Sequence, residues 1–121
     1  MAYNIEWKPG GAIKRFSGKV TFSDVLASEE EISGSPHFNA LRYVISDYTG
    51  AEYAGITASQ RADVNALRIG GFLVNKNIKY AFVIENPAVQ QQIRDAVAGG
   101  LMLYETRVFA QFAQAAQWAG V

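Results

Sequence analysis

The chain has 121 residues, one histidine and no cysteine, and its 11 Lys plus Arg are balanced by 11 Asp plus Glu. That length fits one domain able to bury a real core, and a composition that is 50% hydrophobic excludes a disordered chain. The charge balance argues against nucleic acid or an anionic membrane as partner, and the lack of cysteine removes disulfides, thiolate catalysis and cysteine metal sites.

Taken in chain order, "YNIEWK" alternates Tyr3, Ile5 and Trp7 with Asn4, Glu6 and Lys8, the period of a strand with one buried face. Pro9 and Gly10 suit the centre of a type II turn, and "AIKRFSG" returns as a second strand. In "TFSDVLASEEEIS", Thr21 and Asp24 form a capping pair. Phe22, Val25, Leu26 and Ile32 share a helical stripe, with Glu29, Glu30 and Glu31 expected on the solvated side. "SGSPHF" ends that helix, and "LRYVIS" reads as the third strand.

Thr57-Ala-Ser-Gln60 is a capping box that starts a helix expected to run to about Val74, with Val64, Leu67 and Phe72 inward. Gly70-Gly71 either ends it early or admits another backbone. "IKYAFVIE" is the most strand-like segment, apolar enough to be covered on both faces. Asn86 and Pro87 open a further helix with Val89, Ile93 and Val97 inward, ending at Gly99-Gly100. "YETRVF" gives a short fifth strand and "AQFAQAAQWAGV" a last helix, with Phe112, Ala116 and Ala119 at core spacing. The order β-β-α-β-α-β-α-β-α implies an α/β fold. It predicts a single domain over residues 1–121, with a mixed sheet of about five strands, an N-terminal antiparallel hairpin and about four helices.

Several stretches together carry a family likeness: "FSGKVTFSDVL", "SPHFNALRYVISDYTG", "IKYAFVIENPAV" and "TRVFAQFAQAAQWAG". The chain resembles STAS-like domains, in particular the small stand-alone group related to the anti-sigma-factor antagonist of sporulation. The resemblance implies that fold and a regulatory role. In such members a serine in a "DSSG"-like motif after the third strand is phosphorylated by a partner kinase. The matching region here is "SDYTGAEYAGITASQ", where Asp47 stands at the strand end, no "DSSG" follows, and Thr57 and Ser59 supply the hydroxyls at the helix entrance. The related group also implies a second role, holding an apolar or lipid-like ligand.

Asp47, Tyr48 and Thr49 lie just past the carboxyl end of a central strand, where open α/β sheets tend to bind, so they are candidate partner- or ligand-binding residues. Asp47 equally suits a loop that needs an amide acceptor. Thr57 and Ser59 join the candidates because a helix N-terminus can receive an anion, although a cap alone also accounts for Thr57. His37, the single histidine, has no second histidine with which to hold a metal and no serine motif with which to build a triad. The glycine pairs match neither phosphate-loop nor dinucleotide spacing.

The expected function is therefore a non-enzymatic interaction module that binds a protein partner through residues 47–60. The alternative is a carrier or sensor of a small apolar ligand held between the sheet and the glycine-containing or terminal helix. No cofactor or metal is implied, and a homodimer is compatible with the sequence. No apolar run reaches the ~20 residues of a membrane span. The N-terminal "MAYNIEWKPGG" lacks the pattern of a secretory signal, so a cytoplasmic location is expected.

Overall fold

In the computed structural model, which describes residues 2–121, the chain opens on an antiparallel hairpin of β1 (Tyr3–Lys8) and β2 (Gly11–Phe16). Gly10 in the turn has φ of 75°, the left-handed value a type II turn needs after its proline. Three crossovers follow. Helix α1 (Phe22–Ser33) leads to β3 (Tyr43–Asp47), α2 (Ala58–Val74) to β4 (Lys79–Val83), and α3 (Pro87–Ala98) to β5 (Glu105–Phe109). Helix α4 (Phe112–Ala119) closes the chain.

The sheet order is β1-β2-β3-β4-β5, antiparallel between the first two strands and parallel thereafter. Every crossover steps in the same direction, so right-handed connections place α1, α2 and α3 on one face. Register then assigns the side chains. Lys14, Ser46, Phe82 and Val108 form a transverse row under the three crossover helices, where Phe16 and Ile84 meet Val89 and Ile93. Ile13, Ile45 and Ala81 form a row on the opposite face, where they pack with Ala115 of α4. β3, covered on both faces, is buried along its whole length.

Local signals act where the sequence places them. Thr21 and Asp24 exchange both hydrogen bonds of a capping box, and so do Thr57 and Gln60, each cap contributing about 1 kcal/mol. Asn86 caps α3 with Pro87 at its first position.

Three details differ from the expected pattern. α2 runs to Val74 as expected, but what approaches Gly71 is the Phe38 ring, 2.6 Å from where a β-carbon would sit, rather than a backbone. α3 buries Val89, Ile93 and Ala96, leaving Val97 exposed. The seventh residue on a helix returns within about 20° of its starting direction, while the eighth overshoots by about 80°. α4 buries Ala115 where Ala116 was expected; Ala116 is half-buried, as are Phe112 and Ala119, and the packing of Ala115 on Ile13, Ile45 and Ala81 of the sheet decides it.

Gly11 lies beneath the Tyr43 ring of the neighbouring strand, and a β-carbon there would fall within that ring. Gly11→Ala should therefore lower the unfolding free energy by about 1–3 kcal/mol in urea titration. An unchanged midpoint would mean that the ring moves aside freely.

Candidate functional site

The junction after β3 is fastened from several sides. The Asp47 carboxylate accepts hydrogen bonds from the Thr49 amide at 3.0 Å and the Thr49 hydroxyl at 2.6 Å, and it pairs with Arg15 of β2 at 3.4 Å. The Gly50 amide donates to Glu85 at 2.9 Å. Further along, the Val20 amide donates to the Glu52 carbonyl at 3.0 Å, and the Glu52 amide to the Gly18 carbonyl at 2.8 Å. Gly55, at φ 84°, leaves the space that Gln92 of α3 occupies. A loop held by so many partners presents its exposed atoms in one arrangement.

Of the expected residues, Thr49, Thr57 and Ser59 are exposed. Tyr48 is not: it is 4% exposed and stacked between Phe16 and Tyr53, with ring centroids 4.2 Å away on each side. Burial raises its phenol well above the ordinary range. Tyr48 thus anchors the loop to the core instead of lining the surface. The structure brings Asp47, Tyr48 and Thr49 into one turn and sets Thr57 and Ser59 at the helix entrance. No hydrogen bond or ion pair among the described residues joins the two groups. The Thr57 hydroxyl is engaged as the cap, accepting from the Gln60 amide, whereas Ser59 lies exposed in the first turn.

Beneath this junction lies a charge cluster that the helical pattern of α1 did not predict. Glu29 is buried, contrary to the solvated side expected for it. Its carboxylate accepts from Lys14 Nζ at 2.7 Å and takes two bonds from Arg68, from Nε at 3.0 Å and from a terminal nitrogen at 2.6 Å. Lys14 also donates to Ser28 Oγ at 3.1 Å, and the Arg68 guanidinium lies 4.5 Å from the Tyr80 ring centre. Burial alone would raise the Glu29 carboxyl, but the charges of Arg68 and Lys14 outweigh it and hold the group ionised, well below the usual range. Burial, joined by the charge of Arg68, lowers Lys14 despite the neighbouring Glu29 carboxylate, which raises it.

Two spacings could have exposed this cluster. Lys14 shares the strand parity of Ala12 and Phe16, and Glu29 lies four residues after Val25 and three before Ile32, on their stripe.

The enclosed space beside the cluster, about 40 Å³, is lined by Glu29, Arg68, Asn65, Tyr48 and apolar side chains including Val64 and Met102. That is room for roughly two or three waters. His37 stands against the Trp7 ring near the hairpin turn, at the end of the sheet opposite Asp47, so the two cannot share a site. The junction offers hydrogen-bonding groups and a helix N-terminus on a rigid base, which suits recognition.

No protein-family model and no curated protein matches the sequence. Among solved structures, the chain is similar to the anti-sigma factor antagonist SpoIIAA in its unphosphorylated form. The TM-score is 0.63 at 13% identity, over 99% of this chain and 100% of that one. It is also similar to an uncharacterised Shewanella loihica protein of the DUF3478 family with a SpoIIAA-like fold. There the TM-score is 0.57 at 19% identity, over 98% of this chain and 92% of that one. The chain has a STAS-like fold, a single mixed five-strand sheet with four helices and an N-terminal antiparallel hairpin among the described residues.

Proposed function

We propose that this chain is a non-enzymatic regulatory module that binds a protein partner through the junction at residues 47–60. The observation that carries the reading is the contrast within the junction. Asp47, Tyr48, Gly50 and Glu52 are tied to β2, to Glu85 and to residues 18–20, while Thr49, Thr57 and Ser59 stay open to solvent. A preformed surface of this kind binds without an ordering cost. Similarity to an anti-sigma factor antagonist, whose structure is described as unphosphorylated, supports a regulatory use of the fold. If a phosphate is added here, Ser59 is the suited acceptor. Its side chain is exposed, it sits in the first turn where helix amides favour an anion, and the Thr57 hydroxyl is already engaged.

The space beneath α2, about 40 Å³, is too small for an apolar ligand, since ligand pockets run from roughly 300 Å³ upward; the hollow of about 460 Å³ beside α4, lined by Val108, Phe109 and Trp118, is the place such a ligand would take, and it lies widely open to solvent. No helix among the described residues is long and apolar enough to cross a membrane.

The test is affinity capture of partners with the intact chain, followed by titration against Thr49→Arg and Ser59→Arg. Both substitutions are expected to weaken binding of the recovered partner by at least ~10-fold, because bulk and charge are placed on the proposed surface. Ser59→Arg should leave the melting temperature within a few degrees of the parent, since its side chain is exposed, whereas Thr49→Arg also gives up the hydroxyl bond to Asp47 and should lower stability by about 1 kcal/mol. Unchanged affinity in both would place the interface elsewhere.

A further inference from the structure

Helix α2 is built inside out. Of its 17 residues the buried ones are Val64 and Arg68, so a charged group makes much of its inward contact. Its solvent face carries Ala62, Ala66, Ile69, Gly70, Leu73 and Val74, with Leu73 72% and Ile69 52% exposed. Among the described residues of this helix, only Ser59 and Asp63 are exposed polar side chains. α1 shows the ordinary arrangement, since its exposed positions Ser23, Glu30 and Glu31 are all polar. Leu101, also half exposed, adjoins α2, because its carbonyl accepts from Asn65 Nδ2 at 2.9 Å. Positions 62, 66, 69 and 73 keep the alternating four- and three-residue spacing of a seam that packs on another helix. A helix facing water has no physical reason to hold that spacing apolar.

We propose that α2 pairs with α2 of a second copy of this chain, antiparallel across a two-fold axis near Ile69 and Gly70. The stripe is self-complementary about that point. Ala66 and Leu73 are equidistant from it, so the large side chain of each copy falls opposite the small one of the other. Ile69 falls opposite Gly70, over which no atom of its own chain stands within 4 Å of a β-carbon position. Asp63 of each copy falls about 3 Å beyond the last residue of the partner's helix, within reach of the flexible Lys76 that follows its C-cap, so a charge pair can close each end of the apolar centre. Lys76 follows the C-cap Asn75 and lies with its ammonium 5.9 Å from the Phe72 ring centre, which keeps it at that end of the helix.

An isologous two-fold contact is the commonest form of self-association. A parallel pairing would set Asp63 against Asp63 and Leu73 against Leu73. A lipid surface fits the face poorly, because α2 has no exposed Lys or Arg among its described residues while interfacial helices are rich in them. The pairing does not depend on the 47–60 reading: Thr57 and Ser59 project past the end of the partner's helix and remain open.

The test is sedimentation equilibrium on the full chain. The parent should dimerise with a Kd on the order of micromolar, and Leu73→Glu should raise it at least ~100-fold. Circular dichroism should report an unchanged fold, since position 73 is exposed. Asp63→Lys should weaken the dimer at least ~10-fold by setting like charges together, and adding Lys76→Asp to it should restore the parent value. The charge swap keeps the proposal falsifiable even if Leu73→Glu lowers stability. A parent chain that stays monomeric at about 0.5 mM overturns the proposal. So does a dimer indifferent to Leu73→Glu, a charge defect that Lys76→Asp does not rescue, or a monomer that floats with phosphatidylcholine or phosphatidylserine vesicles.

Discussion

Glu29→Gln is expected to cost the fold about 3–5 kcal/mol, because it leaves the Lys14 and Arg68 cations buried together without a counter-charge. Arg68 cannot shed its proton, so relief must come from Lys14, whose ammonium burial already disfavours. The pH dependence follows from the directions of the shifts. Glu29 is held below its ordinary 4.5 in the folded chain, so the unfolded chain takes up a proton first as pH falls. Its contribution is present above about 4.5 and is lost through the acid range below. Lys14 is lowered from 10.5, so the unfolded chain keeps its proton longer, and stability from this group rises with pH up to 10.5. In Glu29→Gln that alkaline recovery should be larger than in the parent, because the carboxylate no longer supports the ammonium. Urea titrations at acid, neutral and mildly alkaline pH read all three effects. The triple variant Lys14→Met, Glu29→Leu, Arg68→Met should stay near parental stability, since apolar groups of similar volume can replace a buried cluster. A single variant with the parental midpoint at neutral pH would show that the cluster is not paired as described.

Tyr48→Ala is the second large effect, also about 3–5 kcal/mol, as expected for removing a buried aromatic side chain. Two stacked contacts are lost, to Phe16 and to Tyr53, and with them the tie between the 47–56 loop and the core. Amides of that loop should exchange faster in Tyr48→Ala, while β4, paired on both sides within the sheet, exchanges in step with global unfolding. Tyr48→Phe keeps both stacks and should cost no more than about 1 kcal/mol. Equal losses in the two variants would assign the effect to the hydroxyl rather than to the ring.

Much of this arrangement was legible because it rests on neighbours in sequence. The capping boxes at Thr21 and Thr57, the Pro9-Gly10 turn and the Asn86-Pro87 start depend on residues within three positions of each other. The strand order of events along the chain follows from the same local periodicities. The candidate site was legible as a place and less so as a set of roles. Asp47 and Thr49 close a turn upon each other, which their spacing allows, whereas the inward direction of Tyr48 depends on Phe16 and Tyr53 from two other segments. The burial of Glu29 likewise depends on partners 15 and 39 residues away.

The sequence by itself determined the element order, the caps, the hairpin and the position of the junction, because each is decided by short-range sterics, amide satisfaction and hydrophobic period. Only the tertiary structure decided that three ionised groups share one interior site, that Tyr48 holds the loop down, and that α2 turns its apolar stripe to water. Those outcomes are set by which faces meet once the helices settle on the sheet. A glutamate on a helix or a leucine on a stripe carries no local mark of the partner that the fold will bring to it.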